Sequence, residues 1–376
     1  MRGEVVAAME PFLADTFGNP SGSHAAARAA KTALEEAREQ VAASLGARPD
    51  EVVFTGSGTE ADNLAVKGAA RAAREGGAGD GVVTSAFEHK AVLASATRLE
   101  REGFGVVRTP VTPGGIVDLD ALGGALDDRT VLVSVMLVNN EVGTIQPLDA
   151  VADLVAARAP GAVLHTDAVQ AVPWLDVATF VAPADLVTIS AHKFGGPKGV
   201  GALVRRGNVP LEPLIEGGGQ EWGLRSGTSN VAGAVGMAAA LRALDDRRAG
   251  EVAHARLLRD RLVAGLRERA PDCELHGDAD RQVAGTVHVG FPGVEAEALL
   301  VLLDRAGVCA AAGSSCTSGA TEPSHVLEAM GLARADAVSS IRLTLGHASV
   351  AADVDAVLDA IPAAVEQLRA ARGVPA

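Results

Sequence analysis

The chain has 376 residues, enough for a large hydrophobic core and for two domains or one domain with a smaller lobe. Its 33 basic and 47 acidic side chains give a formal charge of −14. No basic run is long enough to mark a nucleic-acid footprint, so direct nucleic-acid binding is not expected. No uninterrupted apolar tract reaches the ~18 residues of a membrane span and no charged-then-apolar leader opens the chain, so a soluble, cytoplasmic protein is expected.

Strand-like apolar runs alternate with Ala/Leu/Arg/Glu-rich helical stretches through the first two-thirds of the chain. The predicted strands are Glu51 to Thr55, Gly81 to Ser85, Gly105 to Arg108, Thr130 to Leu137, Ala162 to Thr166, Asp185 to Ile189 and Ala202 to Arg205. This alternation predicts an α/β domain with a mainly parallel sheet, whose ligands bind beyond the strand C-termini. A long helical stretch, Ala232 to Arg269 with a break near Gly250, leads to a second lobe. That lobe reads as strand Val283 to Gly290, helix Glu295 to Ala306, a Gly/Ser loop from Ala311 to Gly319, helix Ser324 to Met330, strand Ser339 to Leu345 and a C-terminal helix from Val350 to Arg372. The expected domains are therefore 8–250 and 251–376, with residues 1–7 packing on the second.

The chemistry-bearing residues cluster after the predicted strands. Thr55-Gly56-Ser57-Gly58-Thr59-Glu60-Ala61 follows a strand and opens a helix, so its free N–H groups and glycines suit an anion. It lacks the GK[ST] ending of a P-loop but fits GxGxxA, which keeps a nicotinamide-dependent oxidoreductase open as a rival. The chain has no tyrosine, so His89, just after Gly81 to Ser85, is a candidate flat partner for an aromatic cofactor and a candidate proton shuttle. Asn139, Asn140 and Asp167 follow two further strands; a strand-end carboxylate can hold a pyridine nitrogen protonated, although such residues also serve as turns and caps. Lys193 is one of five lysines and lies between an apolar run and the turn Phe194-Gly195-Gly196-Pro197, a setting for a Schiff base with pyridoxal phosphate (PLP). The three cysteines, Cys273, Cys309 and Cys316, form no CxxC pair, which argues against a disulfide framework and against a metal site.

Taken in order, Gly58-Thr59, His89, Asn140, Asp167, Gln170, Ser190, His192 and Lys193 resemble the motifs of the cysteine desulfurases, PLP enzymes of the class V aminotransferase superfamily. The resemblance runs from Phe17-Gly18-Asn19-Pro20-Ser21 to Arg342-Leu343-Thr344-Leu345-Gly346. It implies a fold type I PLP-dependent transferase, with a mainly parallel seven-stranded large domain and a smaller α+β domain. It further implies that Lys193 holds PLP, Asp167 pairs with the ring nitrogen, Gln170 meets the phenolic oxygen and His89 stacks on the ring. Gly58, Thr59, Ser190 and His192 would take the phosphate. Thr228, in Arg225-Ser226-Gly227-Thr228, would reach the neighbouring subunit's phosphate and so implies a homodimer. Asn140, also placed at the cofactor, and Arg342 would hold the substrate carboxylate.

Cys316 lies in Ala312-Gly313-Ser314-Ser315-Cys316-Thr317-Ser318-Gly319, an accessible composition for a reactive thiol. Cys273 and Cys309, with apolar or strand-like neighbours, read instead as small buried residues. The Cys316 stretch resembles the long active-loop subgroup, the housekeeping and nitrogen-fixation type. The implied activity converts L-cysteine to L-alanine and leaves a persulfide on Cys316 for a sulfur-acceptor protein; iron–sulfur cluster assembly, tRNA thiolation, DNA sulfur modification and thio-metabolite synthesis all draw on such persulfides. A selenocysteine lyase or related class V lyase is the nearest alternative, and a catalytically silent binding protein a remoter one. The family's opening Asp-x-Ala-Ala-Thr-Thr-like strand has no counterpart before Met1-Arg2-Gly3, and the chain ends at Gly373-Val374-Pro375-Ala376 without the extended tail that some members use to dock a scaffold.

Overall fold

A computed structural model describes residues 1–313 and 323–372. Seven strands form one sheet: β1 (Val52–Thr55), β2 (Gly81–Ser85), β3 (Gly105–Thr109), β4 (Thr130–Ser134), β5 (Val163–Asp167), β6 (Leu186–Ser190) and β7 (Gly201–Arg205). Their order is β1-β7-β6-β5-β4-β2-β3. All neighbours are parallel except β7, which runs antiparallel to β1 and β6. Every residue of β4 and β6 is buried, as expected of strands covered on both faces. This is the α/β fold expected of a PLP-dependent transferase of fold type I, and its order differs from the 3-2-1-4-5-6 arrangement of a dinucleotide-binding sheet.

The described chain divides into two compact units, one of residues 1–109, 117–138 and 146–248, the other of residues 110–116, 139–145 and 249–376. The second unit holds a three-stranded antiparallel sheet of β8 (Glu274–His276), β9 (Thr286–Gly290) and β10 (Ser340–Thr344), in the order β10-β9-β8. One face of this sheet sends Val287, Val289, Ile341 and Leu343 into a core with Leu299, Leu303, Leu358 and Ile361. Among the described residues, no helix is long and apolar enough to cross a membrane.

Several elements differ from the sequence reading. The long helix Val231–Arg269 runs 39 residues with no break at Gly250, whose missing side chain faces open space and costs only about 1 kcal/mol of helix propensity. The strand expected to reach Leu137 stops at Ser134, because the Met136 N–H turns to the buried Glu88 carboxylate at 2.8 Å. Strand β8 went unrecognised because three residues are too few to show an alternation. Residues 1–7 group with the first unit: the Arg2 N–H donates to Gly195 O at 2.9 Å, and Val5 is fully buried.

A buried ion pair anchors one edge of the first unit. The helix Ala25–Ser44 turns Arg38 inward, where Nη1 and Nη2 donate to Glu221 Oε2 and Oε1 at 2.7 and 2.9 Å. Nη1 also donates to Val52 O, the Phe54 N–H donates to Glu221 Oε2, and the guanidinium lies 4.9 Å from the Phe54 ring and 4.6 Å from that of Trp222. Glu221 and Trp222 occupy the left-handed region at φ +47° and +56°, a strain that persists only where contacts hold it. Removing one partner of such a pair strands the other charge, so Arg38→Met should cost roughly 3–5 kcal/mol in urea unfolding. Arg38→Met combined with Glu221→Leu should recover part of that loss; an unchanged midpoint in Arg38→Met would show that the pair does not hold this edge.

Candidate active site

The chain leaving β1 forms a turn built for an anion. Ser57 is extended, and its hydroxyl accepts the Glu60 N–H at 3.1 Å, capping a helical run over 58–75. A side chain at Gly58 would sit 3.1 Å from Ser190 Cβ and Val169 Cγ2, so glycine is what lets the turn seat against the ends of β5 and β6. Glu60 ties the turn in place: its Oε2 accepts the Gly56 N–H and its Oε1 accepts Arg225 Nε, both at 2.8 Å. Thr59 is exposed at the turn. Ser190, the last residue of β6, lies within 3.0 Å of His192 Nδ1, and the short 3₁₀ turn Ala191–Lys193 presents Lys193 to solvent.

Beside this turn the first unit buries three carboxyl groups. Asp167 ends β5 and its Oδ1 accepts the Val169 N–H at 2.9 Å. Burial raises its pKa, opposed by His89, by the Val169 amide and by Lys193. Asp62, on the helix Gly58–Asn63, is held well above the carboxylate range by burial and then by Asp167. Burial pushes Glu88 up to about 8 although Ser85 Oγ and the Met136 N–H both donate to it. One polar side-chain atom from each of Asp62, His89 and Asp167 lies within 4.8 Å of the other two. His89 caps the helix Lys90–Arg101, its Nδ1 accepting the Ala91 N–H at 3.2 Å, which leaves Nε2 as the nitrogen for proton exchange. His165 lies two residues before Asp167 on the same face of β5, between Ser134 Oγ and Thr188 Oγ1 at 2.9 and 3.1 Å, and burial lowers its pKa to about 3.

The structure thus gathers Gly58, His89, Asp167, Ser190, His192 and Lys193 at the C-terminal ends of β1, β2, β5 and β6. Gln170 is half-buried in the turn after β5, and Thr228 is exposed in the segment that follows Arg225. Asn140 and Arg342 belong to the second unit, where they meet: Arg342 Nη1 donates to Asn140 O at 2.7 Å. Arg342 stands opposite His288 on β9, which stands opposite His276 on β8, so the three form a row across the sheet face away from the core. Burial lowers the pKa of His288 to about 3, with His276 and Arg342 adding to it.

Cys316 lies outside the described residues. Cys273 is half-buried beside the second core, and burial, then Asp272, raises its thiol pKa. Cys309 is exposed and not buried as expected; its neighbour Val308 is the buried one. Sequence reasoning also missed Asp62, Glu88, Glu60 and His165. Two signals were available: Asp62 lies three residues, close to one helical turn, after Thr59, and His165 shares the strand period of Asp167.

A family model described as aminotransferase class-V matches residues 2–357. A cysteine desulfurase of Cereibacter sphaeroides is 45% identical over 372 residues, covering 98% of this chain and 93% of that protein. An IscS-like cysteine desulfurase of Mycobacterium tuberculosis is 48% identical over 361 residues, covering 95% and 91%. A solved structure titled NifS-like protein superposes with a TM-score of 0.91 at 36% identity, covering 98% of this chain and 97% of that one.

Glu88 gives a pH test of the buried acids. Its folded pKa of about 8 stands above the ordinary 4.5, so its contribution to stability is fully present below about pH 4.5 and is lost as pH rises through about 8. Glu88→Gln keeps an acceptor for Ser85 and Met136 but cannot ionise. Its stability relative to the native chain should therefore rise by on the order of a few kcal/mol between about pH 5 and pH 8, read from urea midpoints. Parallel pH profiles for the two proteins would show that Glu88 is ionised in the fold.

Proposed function

The chain belongs to the class-V aminotransferase family, and on that premise we propose that it is a PLP-dependent cysteine desulfurase that converts L-cysteine to L-alanine and passes the sulfur on as a persulfide of Cys316. The observation that carries the reading is a buried Asp167 at the end of β5, one strand from Lys193 at the end of β6, beside a glycine turn that offers helix-start amides. This donor set fits PLP. The turn at Gly58 and Thr59 with Ser190 and His192 suits a phosphate, an anionic Asp167 suits a protonated pyridine nitrogen, and Lys193 suits the aldehyde carbon. When bound, PLP supplies an electron sink for charge that develops at the substrate Cα.

The side chains divide the remaining work. Lys193 would hold the cofactor, and its free amine would be the base for the substrate Cα proton. Arg342 grips the substrate carboxylate through its planar fork, while its bond to the Asn140 carbonyl fixes the plane of the guanidinium. His89 would pack against the cofactor ring with Nε2 available for proton exchange, and Gln170 would donate to the ring's phenolic oxygen. The Cys316 thiolate attacks the substrate sulfur: an S–S bond forms, the Cβ–S bond breaks, and its electron pair stays with the carbon skeleton, which is protonated to alanine. Thr228, exposed here, would reach the phosphate held by a second copy in a homodimer, and the acceptor of the persulfide would be another protein.

Replacement of these groups separates binding from chemistry. Lys193→Ala should lose the cofactor's visible absorbance, and borohydride reduction of the native protein should place the pyridoxyl adduct on Lys193; an adduct on Lys90 or Lys198 would overturn the assignment. Cys316→Ser should stay yellow while alanine production falls roughly a thousandfold or more and labelled sulfur no longer becomes protein-bound. Near-normal turnover in Cys316→Ser, with loss in Cys309→Ser, would move the nucleophile to Cys309. Arg342→Ala should raise KM for cysteine roughly 10- to 100-fold with a smaller change in kcat, and an unchanged KM would remove the clamp.

A further inference from the structure

Asp62 has no part in the reactions above, yet it is 1% exposed and shares a dry space with Asp167. The groups facing it come from every neighbouring element. His89 Nδ1 stands 3.9 Å from its Oδ2, and His165 Nε2 stands 3.7 Å from its Oδ1. Burial, then Asp167 and, where it is ionised, Glu88 disfavour its charge, and the Thr188 hydroxyl favours it. Neither imidazole is among the groups that favour the charged form of Asp62. His89 Nδ1 is committed to the Ala91 N–H, and His165, held between Ser134 and Thr188, stays neutral.

Two buried carboxyl groups with atoms within 4.8 Å of each other disfavour a second negative charge. Their surroundings decide which one keeps the proton. Asp167 has a backbone amide on Oδ1 and draws on His89 and Lys193, whereas Asp62 has the Thr188 hydroxyl against two acidic neighbours. We propose that Asp62 is a positioning residue that carries the proton of the Asp62–Asp167 pair and so leaves Asp167 as the one anion at the end of β5. Its effect on chemistry passes through Asp167: a proton on Asp62 keeps the full negative charge where a cationic ring nitrogen would meet it. That consequence rests on the role proposed for Asp167, but the proton inventory is a property of the chain with or without PLP.

Infrared spectroscopy of protein carrying ¹³C-carboxyl aspartate reads this directly, since only an un-ionised acid shows the high-frequency carbonyl stretch and the label leaves Glu88 out. At neutral pH the native protein should show one isotope-shifted acid band, both with PLP bound and after its removal, that Asp62→Asn abolishes and Asp167→Asn retains. Absence of a labelled acid band in the native protein, or a band that Asp167→Asn removes and Asp62→Asn keeps, would overturn the proposal. If Asp62→Asn does not fold, the Asp167→Asn spectrum still decides. Failure to bind PLP would count against the desulfurase reading and leave the aspartate spectrum of the unloaded protein to be judged by itself.

Discussion

Asp167 ends a buried strand with its carboxylate shut away from water, and an ionised group in that place costs several kcal/mol unless neighbours answer it. The architecture of the first unit follows from how it is answered. A backbone amide, the capping His89 and Lys193 favour the charge, while the same burial that raises the pKa of Asp167 strips charge from the other acids nearby. Glu88, at about 8, is neutral at physiological pH and spends its carboxyl group holding Ser85 and the Met136 amide. With the proton assigned to Asp62, three buried carboxyl groups present a single negative charge.

The anion turn depends on a second chain of contacts that reaches the edge of the sheet. Glu60 joins the Gly56 amide to Arg225, and Arg225 belongs to the same loop as Glu221 and Trp222, whose left-handed backbone is held by Arg38. The turn is fixed from below by glycine: a Cβ on Gly201 would lie 2.4 Å from Ser57 C, so β7 can approach only because that atom is missing. The free amides of a helix start attract phosphate in any fold. Here their aim is set by a salt bridge and a strained loop that the turn's own residues do not reveal.

The local part of this arrangement was legible in the sequence. All seven large-sheet strands were found within one or two residues at most ends, because buried parallel strands read as short apolar runs between turn signals. Gly58, His89, Asp167 and Lys193 stood out because each follows such a run, and the structure places them at the strand ends where α/β sheets offer ligands a seat. What stayed hidden depends on contacts distant in sequence. The pairing of Arg38 with Glu221 spans 183 positions, and nothing in the stretch around Arg38 sets it apart from the other arginines of an exposed helical face. Nothing local marks Asp62; only the packing of its helix onto β6 and β7 turns it inward. The failure at Leu137 has the same cause, since an apolar run cannot show that the backbone amide within it is claimed by a side chain 48 residues earlier.

The second unit applies to a cation the rule that the first applies to an anion. Its sheet sends one face into an apolar core and aligns His276, His288 and Arg342 across the other. Burial holds both histidines below their ordinary pKa, so at neutral pH the row carries its charge on Arg342 alone. Were the histidines protonated, the row would spread its charge over three strands. Neutral rings leave the field centred on a planar fork, whose orientation is set by a backbone carbonyl that cannot titrate. Each unit therefore concentrates charge by removing it from the neighbours, and desolvation, usually counted as a cost, becomes the means by which one group of each sign keeps its charge.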